Sequence, residues 1–100
     1  MSALVKFLSA RIDEDEQRLD DIDHVQAPAG QMARARREID AKRDRLARHA
    51  PVDDPLHGRL CSRCSVVQVG VYEAWPCPEV RDDAAVYADH PDYREAWRPQ

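Results

Sequence analysis

Residues 57–78 of this 100-residue chain read HGRLCSRCSVVQVGVYEAWPCP. The stretch holds all three cysteines of the chain: Cys61 and Cys64 are separated by two residues, and Cys77 follows after twelve more. A Cys-x-x-Cys turn can direct two thiolates at one ion, and structural Zn²⁺ sites are built from four Cys or His ligands. The stretch therefore predicts a structural zinc site that organises the C-terminal half of the chain.

The elements around these cysteines follow the order of a treble-clef or zinc-knuckle module. The segment Val66–Tyr72 predicts a β-hairpin, or a single strand broken by glycine. Pro78 favours the first position of a helix, which places Cys77 at the N-cap, where the helix dipole favours a thiolate. The usual second ligand in that helix would stand at Val80, so the fourth ligand must come from another part of the chain.

Three histidines are candidates for the fourth ligand. His49 ranks first, because it continues the apolar stripe of the second predicted helix and its ring should point inward. His57 ranks second, since three residues separate it from Cys61, and His90 ranks third. His24 lies at the far end of the first predicted helix. With His49 as the ligand, the metal would hold the N-terminal helices to the cysteine module.

Two other interpretations of the cysteines stay open. Free cysteines are commonly small buried hydrophobic residues, and Cys61 and Cys64 could form a redox pair, although no βαβ pattern surrounds them. A catalytic zinc is disfavoured, because Pro76-Cys77 lacks the His-x-Glu motif and second cysteine of the zinc deaminases. His-Glu-x-x-His, Walker A, Gly-x-Ser-x-Gly and Gly-x-Gly-x-x-Gly motifs are absent from the sequence. The sequence thus predicts no enzyme.

The N-terminal half predicts two amphipathic helices. The first runs from Ala3 to about His24 with Ser2 as N-cap, and Ala27-Pro28-Ala29-Gly30 ends it. The second runs from Gln31 to about His49. Each carries an apolar stripe at 3–4 residue spacing with one charge in it; the stripes are Val5, Leu8, Ile12, Asp15, Leu19 and Ile22, and Met32, Ala35, Ile39, Lys42, Leu46 and His49. Two such helices with a short connection predict an antiparallel helical hairpin.

Charge is segregated along the chain. The formal net charge is −4. Counted by segment, residues 1–30 carry −4, residues 31–50 carry +4 and residues 51–100 carry −4. The two helices are therefore expected to form ion pairs along their seam, each contributing about 0–1 kcal/mol where exposed. Asp15 and Lys42, which interrupt the stripes, could also meet across such a seam.

The arginines of the second helix allow three interpretations. A solvated helix face is favoured. A nucleic-acid contact is less favoured, because the acidic first helix lies alongside and no aromatic residue interleaves the arginines. The third interpretation is a surface for a partner protein, including a second copy that completes a four-helix arrangement, with Arg36, Arg37 and Arg43 as the candidate contact residues.

The C-terminal segment predicts short helices. Glu79–Tyr87 forms one with Val80, Ala84 and Tyr87 on one side, and Tyr93 and Trp97 are i,i+4 neighbours in the next. These two aromatic residues are expected to pack over the core. The alternative is a partner-binding patch, since Trp and Tyr are common interface anchors.

Composition limits the size of the core and the location of the protein. Of the 43 hydrophobic residues, 14 are alanine and 21 are Val, Ile, Leu, Met or Phe, and so small a domain often needs a metal, a disulfide or a partner. No stretch approaches a membrane span. Lys6 and the acidic residues after Ala10 argue against a secretory signal. The expected location is the cytoplasm.

The chain resembles an uncharacterised family of small actinobacterial and actinophage proteins. The resemblance is carried by LVKFLSARIDEDEQ at the start, IDAKRDRLARH at residues 39–49, the Cys61 and Cys64 pair, WPCP around Cys77 and the ending YADHPDYREAWRP. It implies a phage or prophage origin and no activity, and it favours a histidine near the end of the second helix, here His49. Asp82-Asp83 stand where the family has apolar residues, so the core of that helix is expected to be weak.

Together these observations predict a mainly α protein of one domain, residues 1–100. Residues 1–50 form the helical hairpin, and residues 51–100 form a zinc-knuckle or treble-clef-like module with a short β-hairpin and short C-terminal helices. The expected function is non-enzymatic: a zinc-stabilised protein that binds a macromolecular partner, most readily a protein, with no small-molecule substrate. The alternative is a nucleic-acid-associated accessory factor that uses the arginines of the second helix with Arg59 and Arg63.

Overall fold

The computed structural model describes residues 2–23 and 29–100. Two long helices, α1 (Ala3–Asp23) and α2 (Ala29–Arg48), precede strands β1 (Pro51–Asp54) and β2 (Gly58–Cys61). A single 3-10 turn at Val67–Val69, the short helix α3 (Pro78–Ala85) and a second 3-10 turn at Glu95–Trp97 follow. The mainly α architecture with a short antiparallel β-hairpin is confirmed.

The helical hairpin forms as predicted, although Ile22, at the end of the first apolar stripe, is exposed. Ser2 caps α1, because its Oγ accepts the backbone N–H of Leu4 at 3.2 Å. The centre of the hairpin is a buried cluster of residues from both stripes: Ile12, Leu19, Met32 and Ile39. Burial of this narrow seam stabilises the hairpin more than any one of its surface ion pairs does.

The helix boundaries differ from the predicted ones by one or two residues. Helix α1 ends at Asp23, while α2 begins at Ala29 and ends at Arg48. His24 and the predicted break at Ala27-Pro28 lie outside the described residues. Because α2 ends before His49, that residue belongs to the connection between the hairpin and the C-terminal module.

The β-hairpin is formed by residues 51–61, which come earlier in the chain than the segment predicted to form it. Its strands pair antiparallel, with Pro51 opposite Cys61 and Asp54 opposite Gly58. The segment Val66–Tyr72, predicted as a hairpin or strand, instead forms a 3-10 turn closed by one bridge between Val66 and Val71. This loop turns back at Gly70, whose φ of +76° is a left-handed conformation that glycine adopts without steric cost.

A second core joins the C-terminal module to the start of α1. Leu4, Phe7 and Leu8 of α1 pack against Val80, Ala84 and Trp97 and against two of the cysteines. The sequence analysis placed only Leu8 of the three α1 residues on the buried stripe. Leu4 and Phe7 are buried because α3 and the C-terminal segment cover the adjacent side of α1.

Charged residues of the two helices pair as the segment charges predict. Arg43 donates to Asp13 and Glu16 at 2.9 and 2.7 Å, and Arg36 pairs with Asp20 at 3.0 Å. Hydrogen bonds to the two carboxylates raise the pKa of Arg43 above its ordinary value. Ion pairs therefore connect the acidic helix α1 to the basic helix α2 along one side of their interface.

The two charges inside the apolar stripes meet through a tyrosine. The hydroxyl of Tyr87 donates to Asp15 at 2.6 Å and accepts from the Lys42 ammonium at 3.3 Å. The segment after α3 thus supplies the group that partners both charges. The polar interruptions of the stripes mark the place where the C-terminal module docks on the hairpin.

Asp83 does not weaken the core of α3, contrary to expectation. Val80 and Ala84 of α3 are buried, while Asp83 faces α2, where its two carboxylate oxygens accept hydrogen bonds from Arg45 at 3.0 Å each. A two-point Arg–carboxylate contact is stronger and more directional than a single hydrogen bond. The acidic residue therefore links α3 to the hairpin.

Candidate metal centre

Four side chains converge where the hairpin meets the C-terminal module. Nδ1 of His49 lies 3.4 Å from the sulfur of Cys61, 3.5 Å from that of Cys64 and 3.4 Å from that of Cys77. All four potential ligand atoms lie within 4.8 Å of one another. The histidine ranked first and the three cysteines are thus brought to one point.

Each ligand is supplied by a different piece of local structure. His49 follows the last turn of α2, Cys61 ends β2, Cys64 lies in the turn after it, and Cys77 is the N-cap of α3. Pro78 stands at the first helical position, as the sequence predicts. The site therefore joins four segments, of which the end of β2 and the turn after it are adjacent and the other two lie further away in the chain.

Backbone hydrogen bonds hold these segments in place around the cluster. The N–H of Ser65 donates to the Cys61 carbonyl at 3.1 Å, which closes the Cys-x-x-Cys turn, and the N–H of Cys61 donates to the Glu73 carbonyl at 2.8 Å. The indole N–H of Trp75 donates to the His49 carbonyl at 2.8 Å. Partners beyond the ligands commonly orient them in metal sites, and Trp75 performs this role for the backbone of His49.

The distances fit a tetrahedral metal. Zn–S bonds of about 2.3 Å and Zn–N bonds of about 2.0–2.1 Å at tetrahedral angles place sulfur and nitrogen about 3.5 Å apart. The three nitrogen–sulfur distances of 3.4–3.5 Å match this value. A Cys₃His set is also one of the usual ligand sets of structural zinc. The residues present therefore fit a metal ion of this size and preference.

Burial and charge in the cluster favour a bound cation. Cys61 and Cys77 are fully buried, and 8% of His49 is exposed. Burial raises the pKa of the Cys64 and Cys77 thiols above its ordinary value, and the neighbouring Cys61 raises the pKa of both thiols further. A cation at the centre reverses this effect, because a metal-bound thiol is deprotonated. Without a cation, three neighbouring thiolates would repel one another in a region of low dielectric.

Cys64 is the most accessible of the four ligands. Its side chain is partly exposed, and its sulfur lies 3.7 Å from the Glu79 carboxylate, to which the thiol can donate. Glu79 is in the first turn of α3. The sequence analysis did not single out Glu79, and its place beside Cys77 and Pro78 gave no signal that its side chain would turn toward Cys64.

The other ranked histidines lie away from the cluster. The imidazole Nδ1 of His57 lies 3.0 Å from the Asp54 carboxylate, and the ring stacks on Tyr72 with centroids 3.7 Å apart. His90 contacts Arg11 through Nε2, while its Nδ1 accepts the backbone N–H of Asp92. Neither is positioned to be the fourth ligand, and both are engaged in other contacts.

The residues predicted to contact a partner occupy different environments. Arg36 and Arg43 pair with carboxylates of α1, and Arg37 lies exposed on α2. Trp97 is buried, and the rings of Tyr93 and Trp97 form an edge-to-face pair with centroids 5.8 Å apart. The two aromatic residues thus pack over the core, as the favoured interpretation expected.

An exposed apolar surface was missed by the sequence analysis. It comprises the tip of the β1–β2 turn and the loop that follows Cys64, and we refer to it as the valine loop surface. The stack of His57 on Tyr72 holds the two segments together. Its exposed members are Leu56, Val66, Val67, Val69, Val71 and Tyr72. The pattern of Val66–Tyr72 predicts a β-hairpin or a single strand broken by glycine, and only the exposure of these side chains in the structure reveals a surface.

Among the described residues, no helix has both the length and the hydropathy to cross a membrane.

The chain belongs to a family described as a family of unknown function (DUF6221), whose model matches residues 1–99. No curated protein and no solved structure matches it. Family membership therefore brings no activity with it, and function has to be argued from the site and the surface.

Proposed function

We propose that this chain is a non-enzymatic protein, stabilised by one structural Zn²⁺, that binds another protein. The zinc is proposed to be held by His49, Cys61, Cys64 and Cys77. The single observation that carries the zinc proposal is the set of three nearly equal nitrogen–sulfur distances, 3.4–3.5 Å, around His49 Nδ1. The resemblance to actinophage proteins supports a phage or prophage origin and a reducing bacterial cytoplasm, where cysteines remain available to metal.

A structural role is favoured over a catalytic one by the number of protein ligands. Catalytic zinc usually has three protein ligands and keeps a fourth position for water or substrate, whereas structural zinc is closed by four. Four ligand atoms are present here, and three of the residues are buried. Such a centre offers a substrate no place to bind. Its contribution is to folding, because metal binding fixes the four segments that carry the ligands.

A protein partner is favoured over nucleic acid by what the arginines contact. Arg36, Arg43 and Arg45 of α2 each pair with a carboxylate of α1 or α3. Phosphate binding depends on cations whose charge is available to the nucleic acid, and the neighbouring carboxylates of this chain oppose it. The net charge of −4 also disfavours binding to nucleic acid.

The valine loop surface supports protein binding directly. Leu56 is 88% exposed and Val69 is 72% exposed. Exposed apolar side chains that lie side by side are typical of protein–protein contacts. The metal cluster lies at the base of the loop through Cys64, so a bound zinc would hold this surface in shape. We propose that the zinc supports the presentation of the valine loop surface to a partner.

Metal analysis tests the zinc part of the proposal. Protein purified under reducing, chelator-free conditions is expected to contain one equivalent of zinc, and His49→Gln and Cys64→Ser are expected to lose most of it. The matched control is His57→Gln, which changes an exposed histidine outside the cluster and is expected to retain the metal. Wild-type protein with less than about a few tenths of an equivalent would contradict the proposal.

A paired binding experiment tests the partner part. Capture of a protein by the wild-type chain from host lysate is expected to be lost in Val69→Asp and kept in Gln17→Glu, which adds a negative charge to an exposed position of α1. Gel shifts with DNA and RNA at low salt serve as the competing test. A salt-sensitive shift that depends on Arg63 would replace the protein partner with nucleic acid.

A further inference from the structure

A groove of about 360 Å³ lies between α1 and α2, next to the start of β1. Its lining is mostly small or apolar: Val5, Ser9 and Ile12 from α1, Leu46 and Ala47 from α2, and Pro51 at the start of β1. In the described part of the chain, α3 and Tyr87 form hydrogen bonds with Arg45, Asp15 and Lys42 of the hairpin, and none of these three lines the groove. Small side chains at Ser9 and Ala47 leave room for another helix backbone to approach closely.

Charge complementarity indicates what covers the groove. At the groove, the α1 side carries Asp13 and the α2 side carries Arg43, which are already paired in the chain, and further along the hairpin Asp20 pairs with Arg36. The 71% exposure of Asp13 and 34% exposure of Arg43 leave part of each charge available to a neighbour. A partner must therefore present basic groups to α1 and acidic groups to α2. The face of this same hairpin meets that requirement.

We propose that two copies of this chain pack face to face through this groove and form a four-helix bundle. The charge pattern selects one symmetry. A twofold axis parallel to the helices sets α1 of one copy against α2 of the other, acidic against basic. A twofold axis perpendicular to the helices would set α1 against α1 and α2 against α2, which brings like charges together. The dimer therefore has its two C-terminal modules at the same end.

The geometry also specifies the contacts at the groove. Asp13 and Arg43 lie at the same height of the hairpin because they form an ion pair. Ser9 precedes Asp13 by four residues and Ala47 follows Arg43 by four residues. Because the helices are antiparallel, Ser9 and Ala47 are also at one height, one turn closer to the C-terminal module. In the selected symmetry Ser9 of one copy thus faces Ala47 of the other. Two small residues at this contact allow the helices to pack closely.

The full length of the hairpin face sets the largest area that the dimer can bury. Helices of 21 and 20 residues are each about 30 Å long at about 1.5 Å per residue. Two helices packed about 10 Å apart present a face about 20 Å wide, which is about 600 Å² on each copy. The total of about 1,200 Å² reaches the lower end of specific protein–protein interfaces. The self-association is separate from the zinc and from the valine loop surface.

Sedimentation equilibrium of the full, metal-loaded chain tests the proposal. The expected mass at tens of micromolar is about 23 kDa, twice the 11.5 kDa of the chain, and it should fall toward the monomer as salt rises, because the rim charges are exposed. Ser9→Glu and Ala47→Glu place a charge in the groove and are expected to give monomers. The control Gln17→Glu adds the same charge to α1 outside the groove and should remain dimeric.

The mass of the wild-type chain tests the proposal independently of the variants. Circular dichroism and metal content establish that each variant is folded before its mass is interpreted. A wild-type mass of 11.5 kDa at 100 µM would overturn the proposal, as would a monomer whose groove takes up an apolar small molecule or a foreign helix. A dimer that survives both groove substitutions would place the interface elsewhere and would also overturn it.

Discussion

Replacement of Tyr87 by phenylalanine isolates the polar contact that docks the C-terminal module on the hairpin. The substitution removes only the hydroxyl, which donates to Asp15 at 2.6 Å and accepts from Lys42 at 3.3 Å. The ring remains, together with its edge-to-face contact with Phe7 at a centroid distance of 6.3 Å. The expected result is a lower free energy of unfolding without a change of fold.

The size of the loss follows from the charge and the exposure of Asp15. A hydrogen bond to a charged group contributes about 1.5–3 kcal/mol. The side chain of Asp15 is 26% exposed, so water replaces part of the lost contact and the expected loss is about 1–2 kcal/mol. For a domain of this size, that corresponds to a decrease in Tm of about 5–10 °C. Urea unfolding followed by circular dichroism, at saturating zinc, measures the difference.

Tyr93→Phe is the matched control. The Tyr93 hydroxyl is buried and has no hydrogen-bond partner in the described part of the chain. Removing a buried, unpartnered hydroxyl should leave the stability unchanged or raise it by up to about 1 kcal/mol. The two variants delete the same atoms from the same residue type, so their difference measures the contact. Equal losses in Tyr87→Phe and Tyr93→Phe would refute the reasoning.

Two further predictions concern packing and an ion pair. Leu8→Ala, at a residue only 2% exposed, should lower the free energy of unfolding by about 3 kcal/mol, whereas Leu56→Ala, at 88% exposure, should change it by less than about 0.5 kcal/mol; similar values for both would contradict the assigned core. Arg45→Ala removes the two-point contact with Asp83 and should cost about 1 kcal/mol, against less than about 0.5 kcal/mol for Arg34→Ala in an exposed i,i+4 pair. Urea unfolding measures all four, and a larger loss for Arg34→Ala would refute the second prediction.

The helices and the convergence of His49 with the three cysteines could be predicted from the sequence, because the patterns that indicate them depend on local spacing. The apolar stripes define α1 and α2 within two residues of their ends. His49 continues the stripe of α2, so its ring could be placed inward before the structure was known, and Cys77 could be placed at an N-cap because Pro78 follows it. These features depend on residues that are close together in the chain.

The β-hairpin could not be predicted, because it does not depend on apolar alternation. Strand β1 reads PVDD, and two of its four residues are acidic. Its turn is held by the Asp54 carboxylate, which accepts the backbone N–H groups of Leu56 and His57 at 2.9 and 3.0 Å. Gly58, with a φ of +75°, completes the turn. Asp-containing turns of this kind appear in many loops, so the pattern alone does not indicate strands.

The contact between Asp15, Lys42 and Tyr87 depends on the tertiary fold. Asp15 and Tyr87 are separated by 72 positions in the chain. Single-sequence patterns identified the two charges as interruptions of the stripes, but they did not show that a tyrosine from the third segment would reach both. Leu4 and Phe7 could not be assigned to the core for the same reason, because the residues that cover them lie far away in the chain.

The most direct test of the account is X-ray absorption at the zinc edge on protein purified under reducing conditions. The account predicts a first shell of three sulfur atoms at about 2.3 Å and one nitrogen atom at about 2.0–2.1 Å. His49→Gln should remove the imidazole nitrogen signal, while His57→Gln should leave the spectrum unchanged. A shell of only oxygen and nitrogen atoms, or purified protein without zinc, would contradict the central claim.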